Sequence, residues 1–276
     1  MKSEVRPGAA AQLFLLTLPY YSSVGYLFDS DDLEYYLRKV NPRYVLPLSF
    51  KRVAPPGQPI TDPTKGDRVS LLTFGFMYAL LNSGYSVEYV NRALETNGQQ
   101  RDGLVLSESE QAYIRTRIDA FNAAIRDAAA AYGPDAHIVE IGNYLNDALT
   151  GKTSIVIGGR TLTRKWIRGN SFSFDGVHPN YTGQALIANF VLGSLNATLG
   201  LAAPLHDLDA TIAADPYIDR DGDGFAPGPG YAASGFNQLL FLFKDPNDAS
   251  SASQVVLPPD VWQQISDILV QRLLGG

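Results

Sequence analysis

The sequence predicts an α/β fold with a parallel strand layer, and three observations carry that prediction. Residues 12–18 form an apolar strand pattern ended by Pro19, residues 137–141 form a second one, and between them lies the most regular helical repeat of the chain. Strand, helix, strand in this order implies strands laid side by side in parallel, because a parallel pair needs a long crossover and a helix supplies it.

The elements follow in order. A buried strand describes residues 12–18 better than a secretion signal does. Two cations, Lys2 and Arg6, precede the apolar run, but Glu4 lies between them and Pro19-Tyr20-Tyr21 stands where a cleavage site needs small residues. Residues 31–40 carry Leu33, Tyr36, Leu37 and Val40 at helical spacing and stop at Asn41-Pro42. Prolines at 47, 55, 56, 59 and 63 make residues 43–67 an irregular loop, of a length that is functional or mobile. Residues 69–82 are apolar nearly all round, with Phe74, Phe76, Met77 and Tyr78 together, which suits a buried helix. Core packing explains these aromatics better than a lipid-binding surface. Residues 86–95 form a short helix with Val87, Val90 and Leu94 on one face.

Ser107 and Glu110 have the spacing of a capping box, and Ile114, Ile118, Phe121 and Ile125 then recur at helical spacing as far as Gly133-Pro134. His137 falls inside the strand that follows and reads as structural. Residues 155–157 and 161–163 flank Gly158-Gly159-Arg160 as a β-hairpin. Asn180 is the cap of a helix that runs through Leu186, Ile187, Phe190, Val191 and Leu195 to Gly200. Its two Asn-x-Thr sequons, at Asn180 and Asn196, are read as coincidence. After Gly200 the chain becomes loop-rich, with an apolar stretch at 238–243 and a closing helix at 259–274. The expected division is an α/β domain over residues 1–200 and an extension over residues 201–276.

Composition narrows the function classes. The chain has 276 residues, 45% of them hydrophobic, which is enough for a sizeable core. Its 28 acidic and 22 basic residues give a net charge of -6 with no Lys/Arg block, which argues against a nucleic-acid or anionic-membrane partner. The absence of cysteine excludes disulfides, thiolate catalysis and thiolate metal sites. No apolar run reaches the roughly 18 residues that a membrane span needs.

Two motifs carry chemistry. In Phe174-Asp175-Gly176-Val177-His178-Pro179-Asn180 a carboxylate stands three residues before an imidazole. Asp175 at that spacing can hold one ring nitrogen of His178 and leave the other to act as a base. The bland alternative is an Asp-Gly turn leading into a helix. In Asp219-Arg220-Asp221-Gly222-Asp223-Gly224 alternate carboxylates can converge on one hard cation, as at the start of a calcium loop. Asp219, Asp221, Asp223 and the Phe225 carbonyl are the expected Ca2+ ligands, with Asp215 as a further candidate. A complete EF-hand is not expected, because Gly230 stands where the loop's bidentate Glu belongs. A solvated Asp-Gly turn is the alternative here too.

The Asp175-to-Asn180 block, followed by Gly183 and an apolar helix, resembles the last block of SGNH/GDSL hydrolases. Residues 107–141, with Glu110 and Phe121-Asn122-Ala123-Ala124-Ile125, are similar to the penultimate helix and strand of bacterial secreted members, and residues 13–19 to an earlier strand. The resemblance spans roughly residues 10–200, and only the Asp-His block is specific. It implies a partial SGNH-type fold, a flavodoxin-like three-layer α/β/α sandwich, carrying the hairpin and the loop-rich C-terminal extension. It also implies hydrolysis of a small ester or lipid through a serine acyl-enzyme, with His178 as general base and Asp175 as its orienting partner, in a secreted or extracytoplasmic protein.

The family's Gly-Asp-Ser, glycine and Gly-x-Asn-Asp blocks have no counterpart in the sequence, so the expectation is that the chain starts after them and is weakly active or inactive alone. Ser22 and Ser23 follow the first strand but lack the pattern of a nucleophile turn. A strand layer begun in this way would expose the apolar edge of residues 13–18, and self-association through that edge is expected. The contrasting expectation is a non-catalytic, calcium-stabilised binding or surface module, or a hydrolase whose fold has outlived its chemistry.

Overall fold

The structure, a computed structural model, describes residues 11–95 and 104–226. The sequence expectations for residues 238–243 and 259–274, and the Gly230 position, lie outside the described residues.

Strand β1 (Leu13–Leu16) opens the described chain and leads to a single helical turn at Tyr21–Ser23. Strand β2 (Leu27–Phe28) then feeds helix α1 (Ser30–Val40) through Asp29. The side chain of Asp29 accepts the N–H groups of Asp31 and Asp32, and Asp32 bonds back to the N–H of Asp29. That reciprocal cap, with acids in the first turn and Arg38 and Lys39 in the last, satisfies the helix ends and suits the helix dipole. Strand β3 (Arg68–Ser70) follows the proline loop and runs into helix α2 (Leu71–Asn82), capped by the hydroxyl of Ser70. Ten of the twelve α2 residues are buried, as an all-round apolar helix requires.

Helix α3 (Val87–Asn91) and strand β4 (Val105–Leu106) precede helix α4 (Glu108–Tyr132). The Ser107–Glu110 capping box forms in full, and Gly133 ends α4 at φ 100°, where other residues are strained. Then come strand β5 (Ala136–Val139), helix α5 (Ile141–Leu149), strands β6 (Ile155–Ile157) and β7 (Arg160–Leu162), helix α6 (Tyr181–Leu199) and helix α7 (Leu208–Ala214).

Strands β1 and β5 pair in parallel, from Leu13 opposite Ala136 to Leu16 opposite Val139, with α4 in the crossover. The fold is thus mixed α/β, as expected, although its sheets are small. Three features depart from the sequence expectation. Strands β2, β3 and β4 form an antiparallel sheet, and β3 takes Val69 from what reads as the start of a helix. The strand pattern at 137–141 stops at Val139, because the chain turns at Glu140 and Ile141 starts α5. Gly142 permits that turn: a Cβ there would lie 2.3 Å from the Leu18 carbonyl, and its N–H instead donates to Thr17 Oγ1 at 3.0 Å. Helix α7 forms where only loop is expected, started by Asp207 accepting from Ala210 N.

The main core joins β2, β3, α1 and α2 to Trp166. Phe28 stacks on Phe74 at 4.3 Å, and Tyr36 and Trp166 close around them. A smaller cluster joins Ile157 and Leu162 of the hairpin to Leu186, Ile212 and Ile218. Residues 208–225 therefore pack against both clusters, with Phe225 part of the main core.

Candidate functional site

The Asp175–His178 loop is a tight turn closed on itself. Ser173 N donates to the His178 carbonyl at 2.9 Å, Gly176 N to the Ser173 carbonyl at 3.0 Å, and Asn180 N to the Ser171 carbonyl at 3.1 Å. Trp166 Nε1 donates to the Phe174 carbonyl at 2.9 Å and ties the loop to the main core. Gly176 sits at φ 68°, and a Cβ on it would meet Tyr26 N at 2.6 Å. Glycine is needed for both reasons, and its carbonyl accepts the Tyr26 N–H at 2.8 Å. The loop is thereby docked on the segment between β1 and β2.

Within this turn Asp175 Oδ2 and His178 Nδ1 lie 2.6 Å apart. A carboxylate can only accept, so Nδ1 carries the proton in that contact and Nε2 presents a lone pair when the ring is neutral. Asp175 Oδ1 accepts from Ser173 Oγ at 2.8 Å and from the N–H groups of Val177 and His178, each at 2.9 Å. Partial burial alone would raise the Asp175 pKa, but the bonds from His178, Val177 and Ser173 together hold it below the usual carboxylate range. The ring of His178 is 78% exposed. Its Nε2 has no hydrogen-bond partner among the described residues.

Helix α6 begins two residues later. Asn180 Oδ1 accepts from Gly183 N at 2.8 Å, and buried Asp215 accepts from both Thr182 N and Thr182 Oγ1 at 2.8 Å. Asp215 is therefore engaged by α6 and does not join the other aspartates, contrary to its candidacy as a metal ligand. Asp175 and His178 are the sequence-predicted pair that the fold does bring together. No serine hydroxyl among the described residues bonds His178, and the side chain of Ser23 is turned away to Asn146 Oδ1 at 2.9 Å. A cavity of about 380 Å³ is lined by Ser49, Lys51, Asp67, Val105, Ser107, Ser109 and Glu110, none of which belongs to the His178 loop.

Asp219, Asp221 and Asp223 place one carboxylate oxygen each within 4.8 Å of one another, close enough to hold a metal ion. Their other bonds shape the loop: Asp219 accepts from Gly222 N and Gly224 N, Asp221 from Asp223 N, and Asp223 from Phe225 N. Burial and then the neighbouring acids push Asp219 and Asp223 up, whereas the Asp223 N–H pulls Asp221 down. Three carboxylate oxygens at alternate positions could thus hold one metal ion. Phe225 contributes a buried ring, 5.7 Å from that of Tyr36.

A second acidic group, Asp29, Asp31 and Asp32, has the same compactness. It already has its counterions: Asp29 is gripped by Arg68 at 2.9 Å, by Lys165 at 2.9 Å and by Arg164, while Arg168 holds Asp32 at 3.0 Å. Side-chain cations thus neutralise this group. The sequence signals for it are the Asp29-Ser30-Asp31-Asp32 cap and the Arg164-Lys165 step, which sequence reasoning did not connect. It also missed Ser173 as a donor to Asp175 and the Asp215 clamp.

Comparisons with protein-family models, with curated proteins and with solved structures return no match for this chain.

Proposed function

We propose that Asp175 and His178 are the orienting carboxylate and general base of a carboxylic-ester hydrolase of the SGNH/GDSL type, acting on a small ester or lipid. The supporting observation is the 2.6 Å contact between Asp175 Oδ2 and His178 Nδ1, with the other carboxylate oxygen immobilised by three donors. That arrangement fixes the ring and its tautomer and leaves Nε2 free to take a proton from a hydroxyl as it attacks an ester carbonyl. In this reading the base returns the proton to the departing alcohol, and Asp175 stabilises the imidazolium between the two transfers. The hydroxyl itself comes from outside the described residues or from a second polypeptide.

The test is hydrolysis of short-chain nitrophenyl esters. The chain alone is expected to show negligible turnover, and fusion to a Gly-Asp-Ser segment is expected to create turnover that His178→Ala abolishes. Turnover that survives His178→Ala, or a folded fusion with none, sinks the reading. A readout independent of activity is the ¹⁵N signature of the ring: a neutral His178 protonated at Nδ1, lost in Asp175→Asn.

A second reading has its own support. The Asp219, Asp221 and Asp223 cluster, together with the turn-forming bonds of Asp175 to Val177 and His178, fits a non-catalytic binding or surface module held by a structural Ca2+. In that case Ca2+ raises the melting temperature over that measured in chelator, and Asp221→Asn removes the difference. Equal melting temperatures in Ca2+ and chelator would exclude it.

A further inference from the structure

We propose that the outer edge of β1 is a self-recognition strand, pairing antiparallel with β1 of a second copy of this chain. The argument starts from which backbone groups are already used. Leu13 N donates to the Asp135 carbonyl at 2.8 Å and Thr17 N to the Val139 carbonyl at 3.1 Å. In a parallel pair alternate residues face the neighbour, so Leu13, Leu15 and Thr17 turn their N–H and C=O groups to β5. Phe14 and Leu16 turn theirs outward, where no described residue meets them. The next outward residue, Leu18, is treated differently. Its N–H donates to Asn122 Oδ1 at 2.7 Å and its carbonyl accepts from Asn122 Nδ2 at 2.9 Å, so α4 closes the edge at that point.

Two open residues separated by one are self-complementary. A two-fold axis at Leu15 sets Phe14 opposite Leu16 of the partner subunit, and Leu16 opposite Phe14 of the partner subunit. Each of those pairs exchanges two N–H···O bonds, which uses all four outward groups of each strand. The pairing ends there, because Leu18, whose N–H and carbonyl are both taken by Asn122, falls opposite Gln12 of the partner subunit and has no bond left to exchange with it.

The chemistry of the edge selects another uncharged strand. Residues 11–18 contain no charge and no proline, in a chain of net charge -6, so two copies can meet along this strand without placing acids face to face. Leu16 and Leu18 are 41% and 44% exposed, and the pairing would cover them. A charge, a proline or a bulge usually blunts such an edge, and β1 has none of them. The outer edge of β5, Ala136–Val139, is of the same length, and the edge strands of the other two sheets have two or three residues.

Sedimentation velocity of the full chain over a range of concentrations tests this, with amide hydrogen exchange as a second readout. A reversible dimer is expected, in which the Phe14 and Leu16 amides gain protection as concentration rises. Leu16→Pro removes one outward N–H without touching the ladder to β5, and should weaken association by at least about tenfold, since each copy loses a hydrogen bond across the interface and the ring also blocks close approach. Leu16→Lys, which keeps the backbone, should weaken it similarly by charging the edge. A chain that stays monomeric at every concentration, its edge covered by residues 227–276 or left open, overturns the proposal. So does a dimer that both substitutions leave intact.

Discussion

The core around α1 and α2 and the layer of β1, β5 and α4 solve the same packing problem in opposite ways. In the former, Phe28, Leu33, Tyr36, Leu37, Val69, Phe74 and Met77 are fully buried. In the latter, none of the four β1 residues is fully buried, and only Gln111, Asn122 and Ala129 are buried among the 25 residues of α4. Polar clamps hold the layer instead: Asn122 on Leu18, Thr17 on Gly142, and Arg126 on Glu140 at 2.7 and 2.8 Å. A helix that the sequence marks clearly, by its cap and its apolar repeat, is therefore thinly covered among the described residues. Periodicity says that a helix has an apolar face, and it does not say that anything packs there.

The sharpest way to break this comparison is to remove one large side chain from each side. Trp166→Ala, in the main core, should cost about 3–5 kcal/mol of unfolding free energy in a urea titration, through lost burial and the cavity left behind. It also removes the indole donor to Phe174, so the His178 loop should loosen with it.

Next in size is the buried ion network that joins α1 to residues 164–168. Burial would raise the Asp29 pKa, but Lys165, Arg164 and Arg68 overcome it and hold the carboxylate well below its usual range. Asp29→Asn leaves those cations short of a partner and should cost about 3–5 kcal/mol. The sign of the pH dependence follows. A group whose folded pKa is lowered contributes its stability in full above the unfolded carboxylate pKa and loses it as the pH falls through the folded value. Acid unfolding below the ordinary carboxylate range should thus lose part of its pH dependence in Asp29→Asn. An unchanged acid limb would show that the network contributes little.

Gly176→Ala comes third, at about 1–3 kcal/mol, because alanine is strained at positive φ and its methyl would push against Tyr26. The informative readout is the His178 tautomer signal, which should change while the α1–α2 core stays folded.

How much of this was legible in the sequence depends on range. Helices α4 and α6 announce themselves through local caps, Ser107 and Asn180, and each cap forms, while α1 shows through the spacing of Leu33, Tyr36, Leu37 and Val40. The Asp175–His178 pair is legible for the same reason, since three residues of one turn decide it. Strands β2, β3 and β4 were invisible because segments of two or three residues become strands only through partners far along the chain. Helix α5 was hidden by its β-like entry at Ile138-Val139-Glu140-Ile141, and what turns it is the contact of Gly142 with Thr17, 125 residues away. Asp215 looked like a metal ligand beside an Asp-rich loop. Its bonds to Thr182 cross 33 residues, and no local pattern reports them.

The smallest expected effect sharpens the comparison most. Phe121 lies on the predicted apolar face of α4 yet is 59% exposed. If the layer is as open in solution as in the structure, Phe121→Ala should change stability by no more than about 0.5 kcal/mol, as for an exposed position. If another surface covers that face, the same change should cost several times more, and the cost should grow with protein concentration when the cover is a second copy. The urea titration would therefore be run at two protein concentrations, with Leu16→Pro alongside. A Phe121 effect that depends on concentration and disappears in the Leu16→Pro background would place the α4 face within the same interface as the β1 edge. A small, constant effect would confine the interface to the strand.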